Sequence, residues 1–126
     1  MEEKINYQLS TSANEGIIEI VFTGEVTKNT INRLHTDVIT ILKGTNAKAV
    51  LCDVSALKGP DDDFAGAYFR ARSIPLNIRI LPAAVVERSE NMVYQSFYET
   101  TAANTGQSLK WFTDIEAART WLKSRL

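Results

Sequence analysis

Cysteine, histidine and proline are scarce in this sequence: one cysteine, one histidine and three prolines in 126 residues. A lone cysteine, Cys52, excludes an internal disulfide and a multi-cysteine zinc site, and it fits a reducing compartment. Long apolar runs are missing too, and none approaches the roughly 20 residues needed to cross a bilayer. The opening Met1-Glu2-Glu3-Lys4 lacks the basic stretch and apolar core of a signal peptide, so the expected location is cytoplasmic, without membrane insertion. No charge of one sign dominates. The 14 basic and 15 acidic residues give a formal net charge of -1, and Arg70 and Arg72 form the only close arginine pair. Without a basic patch to neutralise a phosphate backbone, nucleic acid is not an expected partner. Internal repeats, low-complexity tracts and linkers are absent as well, which argues against a movable second module.

What is present is the composition of an ordinary globular protein, 44% hydrophobic and 23% charged. The length suits a single domain, residues 1–126, with one core. Ile5, Tyr7 and Leu9 alternate with polar residues. After a turn at Thr11 to Gly16 the run Ile17-Ile18-Glu19-Ile20-Val21-Phe22 completes a β-hairpin that ends at Gly24. Ile31, Leu34, Val38, Ile41 and Leu42 recur at helical spacing up to Gly44, a residue suited to a left-handed helix end. Ala47 to Val54 reads as a strand covered on both faces, and Ser55 to Pro60 as a loop.

Asp61-Asp62-Asp63 opens a second helix in which Phe64, Tyr68 and Ala71 share a face, and Pro75 breaks it. Arg79 to Val86 reads as another buried strand, with Pro82 marking an irregular edge. Ser89 is the expected N-cap of a helix carrying Val93, Phe97 and Thr101. Leu109 to Phe112 follows as a short strand. Thr113 and Glu116 have the spacing of a capping box that launches a last helix with Ala118, Trp121 and Leu122 facing inward. The order β-β-α-β-α-β-α-β-α calls for an α/β fold with a mainly parallel five-stranded sheet, right-handed crossovers and about four helices covering both faces.

Open sheets of this kind bind ligands at the carboxyl ends of their strands, here Gly24 to Thr30, Asp53 to Asp63 and Glu87 to Asn91. The middle loop gathers Asp53, Ser55, Lys58, Asp61, Asp62 and Asp63. These oxygens suit a basic partner surface, yet the ligand spacing of a calcium loop is absent, and the three acids also serve to charge a helix N-terminus. His35 lies mid-helix with no evident nucleophile and reads as a histidine at the edge of the core. Cys52 falls inside a buried strand, where an apolar setting suppresses thiol reactivity. The motifs that tie spacing to mechanism, the phosphate loop, G-x-G-x-x-G, G-x-S-x-G and H-E-x-x-H, are all missing. No catalytic residue, metal site or cofactor is therefore assigned. Tyr68, Phe69, Tyr94, Phe97 and Tyr98 occupy more of their helices than one buried stripe requires. Tyr68, Tyr94, Phe97 and Tyr98 are the candidates for an apolar pocket, and the same excess of aromatics fits a homodimer contact.

Three stretches carry a resemblance: Gly24-Glu25-Val26-Thr27 ahead of the first helix, Leu51-Cys52-Asp53-Val54-Ser55 at a strand end, and the close Trp111-Phe112-Thr113-Asp114, Ala117-Ala118, Trp121-Leu122. With the order of elements, they resemble the SpoIIAA-like group, which holds the STAS domains of anti-sigma-factor antagonists. In the antagonists of that group a serine before the second helix is phosphorylated by a partner kinase. The matching stretch here, Lys58-Gly59-Pro60-Asp61-Asp62-Asp63-Phe64, has no serine or threonine, and Ser55 stands several residues earlier. The aspartates then impose permanently the charge that phosphorylation adds reversibly. The resemblance implies a non-enzymatic regulatory domain that meets a protein partner through the loop after the third strand and the second helix. The Trp121-Leu122 ending looks like relatives grouped with SEC14-type lipid-binding domains, which implies as the alternative a carrier of a small lipid-like or apolar ligand. A hydrolase working through the acidic loop is the third class, and a metal screen by thermal shift tests it.

Overall fold

The structure, a computed structural model, describes residues 4–59 and 64–126, without the side chains of Phe64, Ala65 and Tyr68. Asp61, Asp62 and Asp63 and the Tyr68 side chain therefore lie outside the described residues. β1 (Asn6–Asn14) and β2 (Ile17–Glu25) form the hairpin. The strands run longer than the sequence pattern marks, because the connection is only Glu15 and Gly16, with φ of 55° and 87°. Positive φ at both turn residues matches the right-handed twist of the strands and allows this tight closure. At the other end Gly24 takes a φ of 91°, and a Cβ there would meet the Asn6 carbonyl oxygen at 2.2 Å, so only glycine lets β1 pass.

α1 (Ile31–Lys43) leads to β3 (Ala49–Lys58), and α2 (Phe64–Ser73) and the one-turn α3 (Leu76–Arg79) lead to β4 (Ala83–Val86). A 3₁₀ segment (Ser89–Tyr94), α4 (Gln95–Asn104), β5 (Leu109–Phe112) and α5 (Ile115–Lys123) complete the chain. The sheet order is β1-β2-β3-β4-β5, with β1 antiparallel to β2 and the rest parallel. β3 is central, as its continuous apolar run predicts. Because the parallel strands follow one another in a single direction, right-handed crossovers set the helices between them on one face. Leu34 and Leu42 of α1 and Ile78 of α3 pack there with Ile18, Ile20, Phe22 and Val50. Among the described residues α5 alone covers the opposite face, placing Ala118 and Leu122 against Ala49, Leu51, Ala84 and Val86.

Several expectations need correction. Gly44 closes α1 with φ -86°, outside the left-handed region, its N–H donating to the Thr40 and Ile41 carbonyls. The strand expected over Arg79 to Val86 begins at Ala83. Pro75 does break the second helix, which ends at Ser73, and it also caps α3, because a proline suits the start of a helix. Pro82 sits just before the strand and its carbonyl accepts from the Val50 N–H at 2.9 Å. Ser89 caps nothing and lies in the 3₁₀ segment, so α4 starts six residues later, at Gln95. Asp114, not Thr113, is the N-cap of α5, its carboxylate accepting from the Glu116 N–H at 3.3 Å. Ser55 to Lys58 belongs to β3 rather than to a loop, and the described residues hold five α-helices where about four were expected, in keeping with the expected α/β fold.

One buried ion pair fixes α5. Glu19 on β2, 8% exposed, receives a two-pronged contact from Arg119, Nε to Oε2 at 2.8 Å and Nη2 to Oε1 at 2.9 Å. The fork geometry of guanidinium on carboxylate sets register as well as attraction. Arg119 is held well above its ordinary range, first by Glu19 and then by Glu116.

Candidate binding site at the carboxyl ends of the strands

The chain of β3 gains one residue against β2: Val21 pairs with Asp53, but Thr23 pairs with Ala56. Such a bulge re-aims side chains. As a result Val54 and Leu57, three residues apart, both face one cavity of about 220 Å³. Phe22, Val26 and Leu34 line it together with Val85 of β4, its register partner Trp111 of β5, and Tyr98 of α4. Among the described residues, Arg70 from α2 and Glu87 after β4 are the charged ones that line it. The Lys58 carbonyl accepts from the Val26 N–H at 2.8 Å, which ties the end of β3 to the loop before α1. In that loop Thr30 Oγ1 accepts from the Thr27 N–H at 2.9 Å.

Asp53 and Ser55 turn towards each other. Asp53 Oδ1 accepts from the Ser55 N–H at 3.1 Å and from its hydroxyl at 2.6 Å, so this pair satisfies itself locally at the end of the strand. Lys58 is exposed. Of the aromatic candidates, Tyr98 lines the cavity and stacks on Trp111, ring centroids 5.2 Å apart and planes 15° apart. Phe97 touches Tyr98 edge-on at 5.2 Å and supports it from behind. Phe97 and Tyr94 are half-buried and are not among the lining residues. Glu87 entered the sequence reading only as the first residue of the Glu87 to Asn91 loop, and Arg70 and Trp111 were not site candidates. The available signal was an acidic residue directly following the buried pair Val85-Val86, a place where a charge needs a reason.

His35 and Cys52 share a second, apolar cavity of about 140 Å³ between α1, α3 and the sheet, away from the strand ends. Burial pushes the Cys52 thiol up to about 12. Burial, followed by the positive charge of Arg70, holds His35 below its ordinary 6.5. A thiol that keeps its proton beside a neutral imidazole, with no hydrogen bond joining them, is not an activated nucleophile. Both behave as core residues. Among the described residues no group of three His, Cys, Asp or Glu side chains is placed to hold a metal ion, and no helix is long and apolar enough to cross a membrane.

No family model matches the sequence, and no curated protein does. Solved structures do. The crystal structure of an anti-sigma factor antagonist from Mycobacterium paratuberculosis superposes with a TM-score of 0.61 at 14% identity, over 93% of this chain and 94% of that one. An uncharacterized protein of the DUF3478 family with a SpoIIAA-like fold, from Shewanella loihica, gives 0.56 at 15% identity, over 97% of this chain and 98% of that one. Likeness at these identities is a likeness of architecture. The chain has the SpoIIAA-like fold.

Proposed function

We propose that this chain is a non-enzymatic regulatory domain of the cytoplasm that meets a protein partner through the end of β3, the following loop and α2. The observation that carries this reading is the exposure of large apolar side chains beside the strand ends. Phe69 on α2 is 68% exposed and Val93, after β4, is 77% exposed. Apolar surface left in water next to a set of loops held by a rigid sheet favours an interface. The name of the Mycobacterium protein, an anti-sigma factor antagonist, points the same way. Asp61, Asp62 and Asp63 supply the fixed negative charge of the contact, and Lys58 its exposed cation.

A photo-crosslinking amino acid in place of Phe69 tests the reading. Captured from the native cytosol, one dominant partner is expected, and the same probe at exposed Thr120 on α5 should give none. Equal capture from both positions contradicts it. If the Asp61→Ser, Asp62→Ser, Asp63→Ser variant captures the partner undiminished, the fixed-charge idea fails.

The 220 Å³ apolar cavity supports a second reading, a carrier of a small apolar ligand. Pockets of this kind, mostly apolar with a few convergent polar groups, are the usual form of small-molecule sites. A native mass spectrum with a bound hydrophobic species favours it; an unliganded chain that no apolar compound stabilises counts against it.

A further inference from the structure

Glu87 follows β4 directly and is 6% exposed, yet it lines the strand-end cavity. Its Oε1 accepts from the Arg88 N–H at 2.8 Å. Among the described residues no cation stands within ion-pair distance of it, since Arg88 turns instead to Glu90 at 3.2 Å. A carboxylate on a largely enclosed residue, with no cation in contact, favours an incoming positive charge or strong donor.

The aromatic part of the lining has the matching property. Tyr98 and Trp111 stack at 5.2 Å and both line the cavity, and aromatic faces attract cations, tryptophan most of all. Arg70 is the other charged lining residue among those described, and like charge disfavours a cation directly beside it. The volume sets the size. About 220 Å³ exceeds the roughly 150 Å³ that accommodates benzene and falls below the roughly 300 Å³ where drug-sized sites begin. One ring with a short chain fits.

We propose that the strand-end cavity selects a small organic amine in its cationic form, with the ammonium at Glu87 and the apolar body against Val54, Val85 and Trp111. This rests on the reading of the cavity as a small-ligand site. The test is amide-shift NMR titration of the full chain with 2-phenylethylamine, propylbenzene and 3-phenylpropanoate. The amine should bind about tenfold more tightly than propylbenzene and move the Glu87, Tyr98 and Trp111 signals. In Glu87→Gln that preference should vanish while propylbenzene binding stays, and Tyr98→Leu should weaken the amine more than the hydrocarbon. Equal binding of amine and propylbenzene to the unmodified chain overturns the cation selection but leaves the apolar cavity reading standing. Preference for the carboxylate makes Arg70 the anchor and also overturns the proposal. If none of the three binds, both readings fall. The three-probe comparison on the unmodified chain decides even where a variant does not fold.

Discussion

The two faces of the sheet are packed to different standards. Under α5 lie Ala49, Ala84 and Ala118, each with no exposure, and Leu51 and Leu122, equally enclosed. Small side chains let the helix approach closely, and none of these five residues lines the 220 Å³ or the 140 Å³ cavity. The face under α1 to α4 carries larger residues, many of them half-buried, and encloses both the 220 Å³ and the 140 Å³ cavities. One face is a seal and the other holds space. That division leaves space for a ligand on the face of the four helices and close packing beneath α5.

Breaking the seal should have the largest effect. Leu122→Ala removes a fully buried side chain from a site with little freedom to collapse, and should cost about 3–4 kcal/mol in urea unfolding. Arg119→Leu should follow at about 2 kcal/mol, by leaving Glu19 buried and unpaired. That is less than the roughly 3–5 kcal/mol for a fully buried pair, because the Arg119 side chain is 33% exposed. The sharpest comparison uses neighbours on opposite faces. Ala84→Val adds carbon to the seal and should cost about 1–3 kcal/mol, whereas Val85→Ile grows into space that borders both cavities and should stay within about 1 kcal/mol of the parent. Similar costs for the two substitutions would erase the distinction between the faces.

The smallest effect is on pH dependence. His35, lining the 140 Å³ cavity, has its folded-state pKa held below the ordinary 6.5 by burial and by Arg70. The unfolded chain therefore takes up the proton first. The stability His35 contributes is complete above 6.5 and is lost as the pH falls from there through the folded value. Urea midpoints at about pH 7.5 and about pH 5 should fall more for the parent than for His35→Gln; an equal fall would show that His35 is not desolvated.

The sequence made the seal easier to read than the space. Ala118, Trp121 and Leu122 at helical spacing, the unbroken Ala47 to Val54 run and the alternation of the hairpin are periodic signals, and each periodic signal located its element. The elements misplaced were short or aperiodic. α3 is four residues long, with Leu76 and Ile80 left exposed at 68% and 63%, and the Ser89–Tyr94 segment is 3₁₀, so neither has a stripe to detect. The cavity was invisible for a related reason. It depends on a one-residue bulge in β3 that turns Val54 and Leu57 to the same side, and no residue type in Asp53-Val54-Ser55-Ala56-Leu57 announces an extra position. Tyr98 was found because aromatic excess is a compositional signal, while Glu87 was missed because a single acid after a strand ordinarily marks a turn. Asp53 and Ser55 were found as a pair at a strand end, and their bond to each other shows how local chemistry can be right while its partner stays unspecified.

Xenon pressure on a crystal of the protein tests the division most directly, since apolar cavities of this size take up the gas. Xenon should occupy the strand-end cavity between Val54, Val85 and Trp111 and be absent beneath α5. Density between α5 and the sheet, with the strand-end cavity empty, would contradict the account.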